Sequence, residues 1–503
     1  MSYKVSCFVF ILLLACCNTS KKEVATTIPQ PIQKPVFFKA ENPSYNFKVF
    51  TVNTYTSLFS RPLERAKING NQAVLSFKLD KAQIMKLYSF IEDSYFFADV
   101  FITPGDSLRL VYKDNKPKIT GTNAVHYNYA LQRDSLDIQW PKYLKNIDVY
   151  KRECETIYNR KMAFFQDYIK VNSTVSQEFI RHTKSEIKNE YFNKLLIPKS
   201  DITGEDNYNY WPRVYELTSL KDEAFDTASY FDGISLKDFQ HPNFIGNWFF
   251  KRNLVDYVRY YFTGNHKGEF SKANFLKEKE FIENNFTGAS KAYGLARLIY
   301  DYNGELFPDN ISLIPLLKET LAEHGHLFTE PSAKEEMERI GILLQNYNAD
   351  INDSALKEQV VSLDGKEMDF GNVLKANPEK IKILDFWASW CKPCIQEMRD
   401  TYGFKKKLEQ EYNVEYIYLS IDEPKNKDKW LKMSSKLKEY GLKKNQYLLK
   451  NQKTSLIKDY FDVRNIPSYS IIDKNGEVVI MSNSPRPSDS LRFEKIIKSV
   501  FQE

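Results

Sequence analysis

Hydrophobic positions change their period twice along the chain. In residues 36–120 they alternate: in AVLSFKLD, Leu75, Phe77 and Leu79 point one way and Ser76 and Lys78 the other, the signature of a half-buried strand. Asn69-Gly70 just before it reads as a hairpin turn, since both residues tolerate positive φ. FITPGDSLRLVYKDN gives Phe101 and Ile102, a Pro104-Gly105-Asp106 turn, then a strand with Leu108 and Leu110 on one face. A small antiparallel sheet or sandwich is expected there, and no residue in it calls for chemistry. From 121 to 348 the period becomes helical. In FFKRNLVDYVRYYF, residues Phe250, Leu254, Tyr257, Val258 and Tyr261 share one helix face. The aromatic density, with YNYWPRVY at 208–215, suits a ligand groove or a bundle that packs with Tyr and Phe; helical spacing by itself predicts burial.

Residues 352–503 alternate strands with helices. EQVVSLDGKEMDF reads as a hairpin around Asp364-Gly365, KIKILDFWA as a buried strand, and VEYIYLSID (414–422) as a second buried strand after a helix. DKWLKMSSKLKEYG is a helix, QYLLK a short strand, SYSIIDKNGEVVI a hairpin turning at Asn475-Gly476, and SDSLRFEKIIKSVF a closing helix capped by Ser488 or Ser490. The expected fold class is therefore multidomain: an N-terminal β sheet or sandwich, a central all-α region and a C-terminal α/β unit. A length of 503 residues agrees with about three units.

The first 35 residues belong to none of these. In MSYKVSCFVFILLLACC, Lys4 precedes an apolar run from Val5 to Leu14. Roughly ten apolar residues are too few for a spanning helix, which takes about 20, but a positive start, short apolar core and small-residue exit mark an export signal. Leu13-Leu14-Ala15-Cys16 resembles the lipobox of bacterial lipoproteins. That resemblance implies a signal peptide at 1–15, lipidation of Cys16 and a membrane anchor; cleavage with an unlipidated Cys16 is the alternative. Residues 16–35, polar and proline-bearing, suit a tether that cannot pack. The folded body is expected outside the cytoplasm, on the periplasmic side of the inner or outer membrane.

Composition changes the picture little. The 71 basic and 65 acidic residues leave a net charge of +6 and are interleaved, a solvated surface without the basic stripe of a nucleic-acid binder. Six histidines (His126, His182, His241, His266, His324, His326) are scattered. His324 and His326, at i and i+2, would not share a helix face, so no metal site is expected. Cys154, in KRECETIY, reads as a buried, inert thiol.

The chemistry is in DFWASWCKPC, residues 385–394. Cys391-Lys392-Pro393-Cys394 could be a redox pair, half a metal site, a haem attachment or a structural disulfide. Haem attachment needs His directly after Cys394, where Ile395 stands, and a zinc site needs a second ligand pair that the chain lacks. A Cys-x-x-Cys between a buried strand and a helix N-terminus favours redox chemistry, because the helix dipole and free N–H groups stabilise a thiolate.

This segment resembles the active-site strand and turn of the thioredoxin superfamily. CKPCIQEM, with its Cys-x-x-Cys-x-x-Glu pattern, is similar to the TlpA/ResA-like extracytoplasmic thiol–disulfide oxidoreductases, and NIPSY (465–469) resembles that family's Ile-Pro loop. The likeness covers residues 352–503; the wider layout looks like Bacteroidetes lipoproteins with N-terminal β and helical regions. It implies a thioredoxin fold, a redox disulfide Cys391–Cys394, Cys391 as nucleophile and Cys394 as resolving thiol. It further implies a cis Pro467 facing the cysteines after Ile466, Trp390 over them, a buried acid at Asp385 for the resolving thiol's proton, and a second acid at Glu397. Arg399 replaces the family's proline, so the helix kink there is expected to be missing. No cofactor or metal is implied. Expected partners are disulfide-bearing substrate proteins and a membrane or periplasmic thiol donor, with roles in cell redox homeostasis and cytochrome c-type biogenesis. Two alternatives stay open: a peroxiredoxin-like peroxidase, although the Pro-x-x-x-Thr-x-x-Cys setting is absent, and a partner-binding lipoprotein with an auxiliary redox domain.

Overall fold

The computed structural model describes residues 33–502 except 56–57, 59–60, 114–115, 135, 137, 139, 201–212, 220–224, 307–309 and 482–484. The signal segment, Cys16 and nearly all of the tether lie outside the described residues. No helix among the described residues is long and apolar enough to cross a membrane.

Two sheets make the N-terminal sandwich. One holds, in spatial order, Lys67–Asn69, Gln72–Leu79, Lys34–Glu41, Ser107–Lys113 and Lys116–Gly121; the other holds Arg61–Arg65, Phe47–Thr54, Gln83–Ile91 and Ser94–Ile102. Leu75, Phe77 and Leu79 are buried while Ser76 and Lys78 are exposed, as the alternation requires. Pairing is not wholly antiparallel: Lys34–Glu41 runs parallel to Ser107–Lys113. The first turn also sits one residue later than Asn69-Gly70, at Gly70-Asn71: Asn69 pairs with Gln72, and Gly70 takes a φ of 57°. Asp106 ties down the second turn, its carboxylate accepting from the Thr103 N–H (2.8 Å), the Asn123 amide (2.7 Å) and the Tyr127 hydroxyl (2.8 Å).

The middle region is helical, from Ala124–Asp134 to Pro331–Asn346. Asn146, Ser176 and Ser271 cap three of its helices by accepting an N–H three residues on, which satisfies a donor the helix leaves free. Phe250, Leu254, Tyr257 and Val258 are buried, and their neighbours are aromatic: the Phe239 and Tyr257 rings lie 5.1 Å apart and Phe231 and Tyr257 5.7 Å. At Val258–Phe262 the helix widens to a π turn, which leaves Tyr261 half-buried. Most of the aromatic stretch 208–215 lies outside the described residues.

The C-terminal unit is a seven-stranded sheet in the order Glu367–Asp369, Gln359–Ser362, Gln446–Leu449, Val414–Ser420, Ile381–Trp387, Ser468–Ile472, Val478–Ile480. The three central strands are parallel and the rest antiparallel. Every residue of Ile381–Trp387 is buried, which explains its near-continuous apolar run. Both predicted turns occur, with Gly365 and Gly476 at positive φ. The closing helix starts at Ser490; Ser488 does not cap it but donates to Glu397. One continuous hydrophobic core runs from the middle helices into this sheet. Residues 348–350 lie along its edge, with Asn348 N–H to the Val478 carbonyl at 2.9 Å and Val478 N–H to the Ala349 carbonyl at 3.2 Å.

Candidate active site

Strand Ile381–Trp387 ends in a short loop that delivers Cys391 as N-cap of helix Lys392–Asp400, with Pro393 in its first turn. Proline suits that position, where its missing N–H costs nothing. The Cys391 sulfur accepts the Cys394 N–H at 3.2 Å, and the two cysteines are joined as a disulfide. Both are buried, whereas Trp390 beside them is 63% exposed. Ile466–Pro467 is cis. Ser468, next to Pro467, pairs with Phe386, so the Ile-Pro loop sits at the same end of the sheet as the disulfide.

Asp422, unnoticed in the sequence, holds the loop. It is fully buried at the end of the neighbouring strand and accepts the Ser389 N–H (2.7 Å), the Ser389 hydroxyl (2.7 Å) and the Ser420 hydroxyl (2.8 Å). The Cys391 N–H reaches the Ala388 carbonyl at 3.0 Å. Asp422 therefore fixes where Cys391 enters its helix, a task for which the segment SID carried no recognisable pattern.

Asp385 is fully buried, and it is not alone. Lys405 donates to its Oδ2 at 2.7 Å, and that ammonium lies 4.9, 5.2 and 5.4 Å from the ring centres of Tyr416, Tyr418 and Tyr469. A buried acid was expected at Asp385; its lysine partner was not. Asp385 Oδ1 meets no donor among the described residues. Register puts Tyr469 and Tyr418 directly beside Asp385 on either neighbouring strand. Burial first, then the charges of Asp385 and Glu397, hold the Tyr469 hydroxyl far above the usual phenol range.

Glu397 is buried too, but its partner is the chain before the last helix. Its Oε1 accepts the Ser488 hydroxyl at 2.9 Å and the Ser488 N–H at 3.3 Å. The kink expected to be missing is present. The helix stops at Asp400 and a second, Tyr402–Glu411, starts after Thr401. The Thr401 hydroxyl donates to the Glu397 carbonyl at 2.7 Å, beside the Thr401 N–H to the same oxygen at 3.0 Å, a sharing that bends helices.

A thioredoxin-like family profile matches residues 377–478. The thiol–disulfide oxidoreductase ResA of Bacillus thuringiensis subsp. konkukian is 30% identical over 139 residues, 28% of this chain and 73% of that protein. The chain belongs to the ResA-like thiol–disulfide oxidoreductases. A second ResA, from Bacillus thuringiensis, is 34% identical over 120 residues, which span 24% of this chain and 62% of that relative's length. Among solved structures, a thioredoxin-like protein from Porphyromonas gingivalis aligns at 23% identity and a TM-score of 0.26, over 31% of this chain and 95% of that one. The profile leaves the sandwich and the middle helices of this ResA-like chain unmatched.

Other candidates fall outside the site. Burial pushes the Cys154 thiol up to about 12, in keeping with an unreactive side chain. His324 does approach two acids, Glu283 at 2.7 Å and Glu323 at 3.4 Å, but Lys279 already pairs with both at 2.6 and 2.9 Å.

Proposed function

We propose that this protein reduces disulfides in exported substrate proteins, through Cys391 and Cys394, while Cys16 holds it at the cell envelope by a lipid. The observation that carries the reading is the placement of Cys391: a sulfur at a helix N-terminus, receiving a backbone N–H, within bonding distance of Cys394. Such a setting favours the thiolate. In the reduced protein, the Cys391 thiolate attacks one sulfur of the substrate disulfide and expels the other as a thiolate. Cys394 then attacks the Cys391 sulfur, closes the Cys391–Cys394 bond and releases the second substrate thiolate. Two electrons pass to the substrate, and a thiol donor of the envelope returns them by the reverse exchange. Asp385 Oδ1 is the acceptor for the Cys394 proton, exposed Trp390 and the Ile466-Pro467 backbone receive the substrate chain, and Glu397 acts on the fold around them.

Trapping tests the assignment. Cys394→Ser accumulates mixed disulfides with substrate, and Cys391→Ser forms none; equal trapping by both would refute it. A reductant should also equilibrate with glutathione buffer nearer about −270 mV than about −120 mV, and a potential above about −180 mV would mark an oxidant or isomerase instead. Cys16→Ser should leave the body in the soluble fraction or unprocessed, since acyl chains anchor by about 0.8 kcal/mol per buried CH₂.

A further inference from the structure

The loop that carries Ile466-Pro467 does not stand on the C-terminal sheet alone. Four charges join its approach to helix Pro331–Asn346 of the middle region. Arg339 binds both Asp462 and Glu336, with its Nε 3.0 Å from Glu336 Oε2. Arg464 closes the ring, 3.2 Å from Glu336 and 3.1 Å from Asp462. Glu336, Arg339 and Asp462 have side chains only 2%, 14% and 12% exposed. Burial works against the Glu336 charge, and the two guanidinium groups overcome it, holding the carboxyl below its usual range.

Asp462 takes a left-handed backbone, φ 52°, which aspartate tolerates better than most residues. From there the chain runs through Arg464 to Ile466-Pro467. A further tie lies just upstream, where the Tyr460 hydroxyl donates to the Asp350 carbonyl at 3.2 Å. The segment leading to the substrate loop is thus tied to the chain outside the matched thioredoxin-like region at each of these residues.

Resting on the disulfide-reductase reading above, we infer that the helical region positions the substrate loop, with Glu336 and Arg339 as positioning residues that act through Asp462 and Arg464 on Ile466-Pro467. A loop that lies along a bound polypeptide needs this placement more than one that meets a small disulfide, so the brace favours protein substrates.

The test uses the full chain carrying Arg339→Gln, Asp462→Asn or both, with Arg339→Lys as the charge-keeping control. Each of the first three should raise KM for insulin disulfides about fivefold, the ratio expected for loss of one such ion pair. Turnover of 5,5′-dithiobis(2-nitrobenzoate) and the reduction potential should stay put, the double variant should be no worse than the worse single, and Arg339→Lys should recover most of the loss. Amide exchange over residues 461–469 should speed up in Arg339→Gln. Equal losses on both substrates, or an unchanged KM, overturn the inference. If the parent chain reduces neither substrate, the reductase reading fails, and unchanged exchange in Arg339→Gln then overturns the brace as well.

Discussion

At the scale of single residues, Asp385 and Lys405 form a buried ion pair beneath the disulfide strand. Both are buried, and removing one partner of such a pair strands the other charge, at a cost of about 3–5 kcal/mol. Lys405→Met should therefore destabilise the fold more than Asp385→Asn, which leaves an amide able to bond. Asp385→Asn should instead slow disulfide reduction, since it removes the proposed proton acceptor; chemical denaturation and insulin turnover read the two effects separately. Asp385 was legible because it stands at a fixed spacing before Cys391. Lys405 was not, since in FKKKLEQE nothing marks one of three successive lysines as the one that turns inward. Asp422 was hidden for a similar reason: an acid ending a strand has the pattern of an exposed turn. Cys154 read correctly as an inert thiol, and burial gives the reason. After reduction of the native protein, iodoacetamide should label Cys391 and spare Cys154 until the chain is unfolded; early labelling of Cys154 would contradict the packing.

At the scale of elements, the two acids near the disulfide separate. Glu397 spends its carboxylate on Ser488, so it joins the active-site helix to the segment entering helix Ser490–Gln502. Glu397→Gln should lower stability by about 1–2 kcal/mol, the range for a weakened buried hydrogen bond, and leave the insulin reduction rate nearly unchanged. A rate loss as large as that of Asp385→Asn would return Glu397 to the proton path. The helix break at Thr401 shows why reading by motif misled here. A proline is one way to interrupt a helix, and a threonine hydroxyl on the carbonyl four residues back is another that leaves no fixed signature. The central strands of the C-terminal sheet were readable because burial on both faces gives unbroken apolar runs. The parallel pairing of Lys34–Glu41 with Ser107–Lys113 was not, since alternation reports which face is buried and says nothing of the neighbour.

At the scale of the whole molecule, the sandwich and the helices meet around a cavity of about 150 Å³ lined by Asp99, His126 and Glu186 among others. No pattern in the sequence pointed to it, because its walls come from strands and helices far apart in the chain. Burial, and next the charge of Asp99, push the Glu186 carboxyl up to about 8. Burial pushes His126 down to about 4, and its Nε2 accepts the Ser176 N–H at 3.1 Å, which requires an unprotonated nitrogen there. The signs follow from linkage. Between about pH 4.5 and 8 the folded chain holds a proton on Glu186 that the unfolded chain has lost, so this group's contribution is full below that window and falls as pH rises through it. Between about pH 6.5 and 4 the unfolded chain binds a proton on His126 that the folded chain refuses, so stability also falls as pH drops. Glu186→Gln, which keeps the shape and removes the ionisation, should flatten the alkaline loss and leave the acid loss intact. His126→Gln should do the reverse, provided its side-chain oxygen takes over the Ser176 N–H. Urea midpoints measured across that pH range check both, and an alkaline slope unchanged by Glu186→Gln would place the titrating group elsewhere.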